Sequence, residues 1–518
     1  MKEMSLREKI GQLIITGFPS PALTEDITTL SEQYKIGNFI LFTRNVQSAP
    51  QVKQLCGDIQ AMVRKNTGYP AFIAIDQEGG AVTRLPKDAS NIPGAMAIAS
   101  TGKPENAYRA GALTARELKA LGINFNLAPV LDINCNKANP SVNVRSYGDT
   151  KQTVSLYGTQ MLKGLQDNGI LACIKHFPGH GDTTVDSHLG LPTIPKSAEE
   201  LENNELVPFR QAITQGAQAV MTAHILFPAL EPENLPSPMS PRIVTGLLRE
   251  KLGFQGLIVS DCLEMDAIRK IYGTAKGAVA AFKAGVNMVF ISHTASLVME
   301  AVEAIEQAVR SGELPEALLD ASVQKVLEFK KIYASAQEDP NSESIVGCPE
   351  HRALVQQISE ESLCLVCGEG PLPSVDEHTL FVGSGAYRST LVSSQVDGTL
   401  YFPTYMAEKF HASGLISEID PTSEEIDALA EKAKPYHTVV IGTYNGFFNP
   451  GQICLANRMA KEGHAVIVAA LRSPYDLGEL NEGIYGLAVF EYSELAFDSL
   501  ARVLGKEIPA TGKLSVKM

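Results

Sequence analysis

The sequence predicts an α/β fold in which an N-terminal (β/α)8 barrel of the TIM type is followed by a smaller C-terminal α/β sandwich-like domain. The chain has 518 residues, which is too long for one ordinary hydrophobic core and favours two or three domains. Eight short apolar runs alternate with amphipathic stretches over roughly 300 residues, a pattern typical of a (β/α)8 barrel. A polar stretch with two prolines then interrupts the pattern, which resumes beyond it.

The apolar runs are predicted to be barrel strands because they are short and are separated by amphipathic stretches of helical length. They lie at residues 13–18, 39–42, 72–75, 125–132, 170–174, 219–224, 257–260 and 288–292. Helices are predicted at residues 49–65, 104–121, 151–168, 198–215, 241–252, 273–284, 296–311 and 315–333. A doubly wound open sheet is the alternative. It would need fewer strands and usually carries a glycine-rich turn after the first one, which "TGFPS" is not.

The chain divides at the polar stretch "ASAQEDPNSESIVGCPE". Residues 1–335 are predicted to form the barrel, 336–350 a linker, and 351–518 the second domain. In that domain we expect a helix at 352–362 and strands near residues 380–382, 439–443, 465–471 and 487–491.

Charge and composition exclude several classes of partner. Lys and Arg number 44 against 58 Asp and Glu, a net charge of −14, which argues against nucleic acid or an anionic membrane surface. No stretch reaches the ~20 apolar residues needed to span a bilayer, and the N-terminus does not resemble a secretory leader. The eight cysteines are scattered and predicted to be reduced thiols. A cytoplasmic location is therefore expected.

The richest polar stretch is residues 175–188, which directly follow an apolar run and carry three His, two Asp and one Lys. A zinc site is one interpretation, but His residues four apart share a face only on a helix, which Pro178 and Gly179 prevent. A polar loop with structural histidines is the second. The third is a catalytic loop, because in Asp186-x-His188 a carboxylate can orient an imidazole for proton transfer.

Carboxylates also follow two other predicted strands. Asp76 stands at the end of the third strand, beside paired glycines that let the backbone approach a ligand. Asp261 follows the fully apolar seventh strand, where a buried charge needs a partner or a function. Nothing near Cys262 supplies a base for a thiol nucleophile. Glu264 and Asp266 are expected to be solvated or to cap a helix.

The motifs "KHFPGHGDT" with "DSH", "DQEGGAVTR" and "SDCLEM" together resemble glycoside hydrolase family 3, in its bacterial β-N-acetylglucosaminidase branch. The resemblance extends over the whole chain and is strongest in residues 1–335. It implies that Asp261 is the nucleophile and that Asp186 and His188 form the acid/base dyad. It also implies a set of groups that hold the terminal sugar, namely Asp76, Arg84, Arg145, Lys175 and His176.

The expected function is therefore a retaining exo-acting β-N-acetylglucosaminidase that removes non-reducing terminal N-acetylglucosamine from chitin oligosaccharides or muropeptides. A conventional glycosidase uses two carboxylates, and this chain departs from that scheme as the branch does. No metal or organic cofactor is expected, and the partner is a small-molecule sugar. Three alternatives stay open: a phosphorylase with phosphate as the acceptor, a β-glucosidase, and a sugar-binding protein without catalysis.

Overall fold

Eight parallel strands close into a barrel, and a separate six-stranded sheet follows it. These are features of a computed structural model that describes residues 4–183, 190–335, 342–394 and 397–518. The predicted fold class is therefore confirmed. The barrel strands are β1 (Ile14–Thr16), β2 (Asn38–Leu41), β3 (Phe72–Ile75), β4 (Phe125–Asn126), β5 (Leu171–Phe177), β6 (Ala219–Thr222), β7 (Leu257–Cys262) and β8 (Met288–Ile291).

Helices surround the barrel and pack their apolar faces on one continuous core. They are α1 (Leu6–Gln12), α2 (Glu25–Gln33), α3 (Ala49–Thr67), α4 (Ala95–Ser100), α5 (Pro104–Ala120), α6 (Lys151–Asp167), α7 (Ala198–Asn203), α8 (Leu206–Thr214), α9 (Asp266–Arg269), α10 (Thr274–Ala284), α11 (Ala295–Arg310) and α12 (Glu316–Tyr333). Their ends follow local chemistry. In α3, for example, the Ser48 side chain caps the first turn, and Gly68 ends the helix in the left-handed conformation (φ 80°).

Several elements differ from the prediction: α2, α4, β9 and β11 were not predicted, and β4 ends at Asn126 rather than at residue 132. Three further differences concern the course of the backbone. Strand β5 continues through Phe177, so Lys175 and His176 lie in the strand rather than in the loop that follows it. The helix predicted at 198–215 is divided at Asn204, whose φ of −130° and ψ of −82° are not helical. The segment predicted as a helix at 241–252 is π-helical from Arg242 to Lys251. Hydrophobic periodicity finds such segments but does not specify their backbone hydrogen bonds.

A buried lysine lies at the N-terminal end of the barrel strands. Lys330 is 1% exposed, and its Nζ donates to Gln12 Oε1 at 2.6 Å and to the Gly37 carbonyl at 3.1 Å. Both partners lie just before a barrel strand, so they mark that end. The cluster of polar side chains described below lies at the opposite end, where the strands terminate.

The second sheet has the order β11-β10-β12-β13-β14-β9, with β9 antiparallel to its neighbour and the other pairs parallel. Its strands are β9 (Cys364–Cys367), β10 (Thr379–Gly383), β11 (Ser413–Ile416), β12 (Thr438–Thr443), β13 (Ala465–Ala470) and β14 (Tyr485–Ala488). Its helices are α13 (Pro349–Ser362), α14 (Phe402–Phe410), α15 (Ser423–Ala433), α16 (Gly451–Lys461) and α17 (Glu494–Leu504). Two apolar clusters contain the alternating inward residues of the sheet, as in a layered α/β domain.

The two parts of the chain pack against each other. Met96, Ala97 and Val144 of the barrel belong to one of the apolar clusters of the second sheet. Polar contacts add to this packing: Asn134 Nδ2 donates to the Tyr475 hydroxyl at 2.9 Å. The proposed domain boundaries stay a prediction, because residues 336–341 of the predicted linker lie outside the described ranges.

Within the ranges that the structure describes, no helix is both long enough and apolar enough to cross a lipid bilayer.

Candidate active site

Most of the polar residues singled out in the sequence meet in one cavity at the mouth of the barrel. The carboxyl ends of parallel strands share one rim, so side chains from distant positions in the chain converge there. The cavity has a volume of about 630 Å³, enough for a ligand the size of a sugar. Among the residues that line it are Asp76, Arg84, Arg145, Lys175, His176 and Asp261.

A buried network of alternating charges forms one wall. Lys175 Nζ lies 2.7 Å from Asp76 Oδ1 and 2.7 Å from Glu78 Oε1. Arg145 binds Glu78 through two N–H···O bonds of 2.8 Å, and its third contact is the Ser141 carbonyl at 2.9 Å. Lys175 is 1% exposed and Arg145 6%, so water screens these charges little. Each buried charge is therefore stabilised by its oppositely charged neighbours in place of water.

The network determines the protonation states of its members. Burial opposes ionisation of Glu78, but Arg145 and Lys175 outweigh it and hold the pKa of that carboxyl well below its usual range. Burial likewise opposes the charge on Lys175, and Asp76 and Glu78 outweigh it, so the pKa of that amine is raised. Lys175 is therefore a cation at neutral pH. It presents a fixed N–H donor beside an acceptor, Asp76, which suits a ligand rich in hydroxyls.

The turn after β3 places Asp76 and Glu78 at the rim. Gly79 and Gly80 have φ values of 96° and 55°, which favour glycine. A Cβ on Gly80 would also lie 2.7 Å from the Cα and 2.8 Å from the backbone nitrogen of Gly94. Only a glycine fits this close approach, which explains the paired glycines of the motif.

Arg84 connects the turn to the second domain. Its guanidinium donates to Ser394 Oγ at 3.2 Å and to the Val392 carbonyl at 2.5 Å. Ser394 Oγ in turn donates to the Thr83 carbonyl at 2.7 Å and accepts from the Thr83 N–H at 2.9 Å. Burial lowers the pKa of Arg84, against the opposing effect of Asp76 and Glu78. Arg84 thus lines the cavity and also anchors a second-domain loop beside it.

His176 is oriented by a buried carboxylate that the sequence analysis did not single out. His176 Nδ1 lies 2.7 Å from Asp132 Oδ2, and Asp132 Oδ1 accepts the backbone N–H of His176 at 3.2 Å and of His180 at 2.7 Å. Burial opposes the charge on Asp132, but His176 outweighs it and lowers the pKa of that carboxyl. Because Nδ1 is bound to Asp132, Nε2 is the ring atom through which His176 can contact a ligand.

His180 is held neutral. Burial, and then the neighbouring His176, lower the pKa of His180 to about 4. Its Nδ1 lies 3.0 Å from Thr183 Oγ1, and its carbonyl accepts from Asn139 Nδ2 at 2.9 Å. These bonds anchor the loop after β5 as far as Thr183. Asp186 and His188, the predicted dyad, lie at 184–189, outside the described residues.

Asp261 lies in the last part of β7 and lines the cavity, half-buried. Its Oδ1 accepts the N–H of Cys262 at 2.7 Å, which restrains the orientation of the side chain. Burial raises the pKa of Cys262 to about 12, so a thiolate nucleophile at that position is disfavoured. Glu264, predicted to be solvated or a cap, accepts the N–H groups of His293 and Thr294 at 2.6 and 3.1 Å. Asp261 thus presents its carboxylate at the carboxyl end of β7, in the wall of the cavity.

Several cavity residues were missed by the sequence analysis. No local motif marks them, because they come from loops that only folding brings to the mouth. Those from the second domain are Arg388, Leu391, Val392 and Ser393, and those from the barrel include Arg44 and His293. The second domain, for which the sequence predicted no specific residue, therefore forms part of the cavity wall.

Within the described ranges, no three His, Cys, Asp or Glu side chains are grouped as ligands for a metal ion.

Comparison with known proteins identifies the family. Residues 5–329 match the model of the glycosyl hydrolase family 3 N-terminal domain. That match covers more than half of the chain, which therefore belongs to glycosyl hydrolase family 3, as the motifs predicted. The chain is 33% identical over 377 residues to "Beta-hexosaminidase A" of Pseudoalteromonas piscicida, a match that covers 68% of this chain and 63% of the relative. The chain thus spans less than two thirds of that relative's length.

Solved structures extend the likeness to the second domain. A glycoside hydrolase family 3 β-N-acetylglucosaminidase from Paenibacillus sp. str. FPU-7 superposes with a TM-score of 0.92 at 37% identity, covering 99% of both chains. A protein titled "Beta-glucoside phosphorylase BglX" superposes with a TM-score of 0.83 at 21% identity, covering 99% of this chain and 94% of that one. The second likeness concerns the fold alone.

Proposed function

We propose that this chain is a retaining exo-acting β-N-acetylglucosaminidase, in which Asp261 is the nucleophile. The observation that carries the proposal is the meeting of Asp261 with Asp76, Arg145, Lys175 and His176 in one cavity. The likeness of the whole chain to a solved β-N-acetylglucosaminidase supports it.

In the first step, an Asp261 carboxylate oxygen attacks the anomeric carbon of the terminal sugar. The bond to the leaving oxygen breaks as His188, oriented by Asp186, protonates that oxygen. In the second step neutral His188 removes a proton from water, which attacks the anomeric carbon and releases Asp261. Imidazole has a reference pKa of about 6.5, which suits both steps at neutral pH. A carboxylic acid in the same role would need a strongly raised pKa.

The charged wall holds the terminal sugar while these steps occur. Lys175 and Arg145 present donors and Asp76 presents an acceptor, all fixed by the bonds among themselves before a ligand arrives. His176 adds a ring nitrogen, and Arg84 stands at the edge toward the second domain. Because these side chains are already ordered, they lose little further conformational entropy when the substrate binds. The orientation that they impose on the substrate lowers the barrier to attack.

Chitin-derived oligosaccharides and muropeptides both end in β-linked N-acetylglucosamine, and both are proposed substrates. We place the reaction in the cytoplasm, as a step of chitin-oligosaccharide degradation or cell-wall recycling. The eight cysteines are all free, as is usual for thiols in a reducing compartment.

Release of nitrophenol from 4-nitrophenyl N-acetyl-β-glucosaminide tests the proposal. Asp261→Asn is expected to lower kcat by about a thousandfold or more, because the amide cannot form the glycosyl-enzyme. Asp266→Asn is the matched control, since that carboxylate pairs with Arg269 and Lys270 at 2.9 and 2.7 Å and should be dispensable. Equal losses in the two variants would remove Asp261 from the mechanism.

Product analysis separates the alternatives. Chitobiose incubated with and without phosphate should release free N-acetylglucosamine at the same rate. Sugar 1-phosphate as the main product would show a phosphorylase, and faster turnover of the glucoside than of the N-acetylglucosaminide would show a β-glucosidase. Binding of the sugar without turnover would show a sugar-binding protein.

A further inference from the structure

A buried histidine lies beside the end of the strand that carries Asp261. His224 follows β6 by two residues, and its side chain is fully buried. Its Nε2 lies 2.9 Å from the backbone carbonyl oxygen of Cys262. Because a carbonyl oxygen can only accept, Nε2 carries the proton and donates this bond. The mechanism proposed above does not use this side chain.

The bond continues the contact between β6 and β7 beyond the end of their backbone pairing. Among the residues that the structure describes, the last pair between these two strands is Thr222 with Ser260. His224 and Cys262 each lie two residues further along the chain. On the other side of β7, the register with β8 shifts just before Cys262, and such irregularities often redirect a side chain next to an active site. Asp261 therefore lies beyond the regular pairing with β6 and within the shift in the pairing with β8.

Cys262 connects the histidine to the carboxylate of Asp261. The Cys262 N–H donates to Asp261 Oδ1 at 2.7 Å, while the Cys262 carbonyl accepts from His224. The same carbonyl also accepts the N–H of Met265 at 3.1 Å, so it keeps a donor when the histidine is replaced. A side chain that fixes the Cys262 carbonyl therefore also restrains the N–H that orients Asp261.

We propose that His224 is a positioning residue for the nucleophile, because its Nε2–H fixes the Cys262 backbone and thereby the direction in which Asp261 points. This inference rests on the proposed function, since it takes Asp261 to attack the anomeric carbon. Attack requires the two reacting atoms to lie about 3–3.5 Å apart, and a displacement of about 1 Å can lower the rate about a hundredfold. His224 is fully enclosed, so it acts through the backbone and not by contact with the sugar.

Two amide variants test the donor directly. His224→Gln keeps an N–H group at a similar distance from the backbone as the imidazole Nε2. His224→Asn carries the same amide one carbon–carbon bond closer to the backbone, where it cannot reach the Cys262 carbonyl. On 4-nitrophenyl N-acetyl-β-glucosaminide we expect kcat/KM to fall about ten- to a hundredfold in His224→Asn and to stay within about threefold of the wild type in His224→Gln. This ratio reports formation of the glycosyl-enzyme, the step in which Asp261 attacks.

Binding of the product separates a positioning role from general damage to the cavity. Calorimetric titration with N-acetylglucosamine should give the same Kd in the wild type and in both variants, since the charged wall is unaltered. Ser237→Ala is the matched control. It removes a buried side-chain bond of the same kind from the segment after β6, Ser237 Oγ to the Ile225 carbonyl at 3.1 Å, and should leave kcat/KM unchanged.

Three outcomes would overturn the inference. The first is an unchanged kcat/KM in His224→Asn. The second is an equal loss in the Asn and Gln variants, which would show that the imidazole serves only to fill space. The third is a loss of affinity for N-acetylglucosamine as large as the loss of kcat/KM, which would show that the whole cavity is altered.

Structural measurements separate this inference from the proposed function. If the wild type releases N-acetylglucosamine from no substrate, the proposed function fails, and crystal structures of the wild type and His224→Asn still decide the positioning role. Loss of the bond between Asp261 Oδ1 and the Cys262 N–H in the variant supports it, and an unmoved carboxylate overturns it. If His224→Asn does not fold, NMR of the wild type with 15N-labelled histidine decides. A proton on Nε2 of His224 supports the inference, and a proton on Nδ1 alone overturns it.

Discussion

Glu78 connects the two cations of the charged cavity wall, Arg145 and Lys175, although no role was assigned to it from the sequence. Its two carboxylate oxygens contact Arg145 and Lys175 at 2.7–2.8 Å, and all three side chains are buried. Asp76 was identified because it directly follows a predicted strand. Glu78 lies two residues further, in a turn, where spacing alone does not show which way a side chain points.

Glu78→Gln is expected to destabilise the protein by about 3–5 kcal/mol, because it leaves two buried cations short of one negative charge. The same change should lower kcat/KM, since Lys175 would lose part of its charge stabilisation. Urea unfolding and steady-state kinetics measure the two effects. Glu313→Gln is the control, because its ion pair with Lys283 is exposed and should contribute about 0–1 kcal/mol. Similar losses in both variants would contradict the buried-network interpretation.

At the scale of elements, the loop at 388–394 of the second domain behaves as part of the barrel's mouth. It supplies cavity residues and is held by Arg84 and by the paired bonds between Thr83 and Ser394. Periodicity predicted the barrel strands as elements, because short apolar runs are their signature. It did not predict this loop's position, because polar loop sequence carries no information about the surface on which the loop packs.

Ser394→Ala removes the bonds to Thr83 and Arg84. We expect a loss of about 1–3 kcal/mol in the free energy of unfolding and a several-fold loss of kcat/KM, because Arg84 would be less restrained. Thermal unfolding and kinetics on the chromogenic substrate provide the measurements. Ser389→Ala, on the same loop but bonded only to Ser393 at 3.4 Å, should resemble the wild type. A drop in stability with full activity would show that the contact is only structural.

At the scale of the whole molecule, a carboxyl group lies at the contact between the barrel and the second domain. Glu491 Oε1 accepts the Gly94 N–H at 2.6 Å, and Ser493 Oγ donates to Oε2 at 3.4 Å. Burial raises the pKa of Glu491 to about 7, which these bonds only partly oppose. In the unfolded chain Glu491 has an ordinary carboxyl pKa. Between that pKa and about 7, the carboxyl is therefore protonated in the folded protein and ionised in the unfolded chain.

The stability that protonated Glu491 contributes should therefore be present below about pH 4.5 and be lost as the pH rises through about 7. Glu491→Gln keeps the acceptor for Gly94 and removes the charge. We expect it to match the wild type near pH 5 and to be more stable near pH 8, by on the order of 1–3 kcal/mol. Thermal unfolding at the two pH values measures this. Glu494→Gln, an exposed neighbour, is the control, and a pH-independent difference would contradict the assignment.

The fold class, the family and the polar residues at the ends of the barrel strands could be predicted from the amino-acid sequence alone. Apolar periodicity and strand-end motifs are local features of the sequence, so they can be recognised before the packing of the chain is known. Folding was needed to show that Glu78 contacts Arg145 and Lys175, that Asp132 contacts His176, and that a second-domain loop forms part of the cavity wall. Some of these contacts join residues 311 positions apart in the chain. The local pattern of apolar and polar residues does not show which distant segments come into contact.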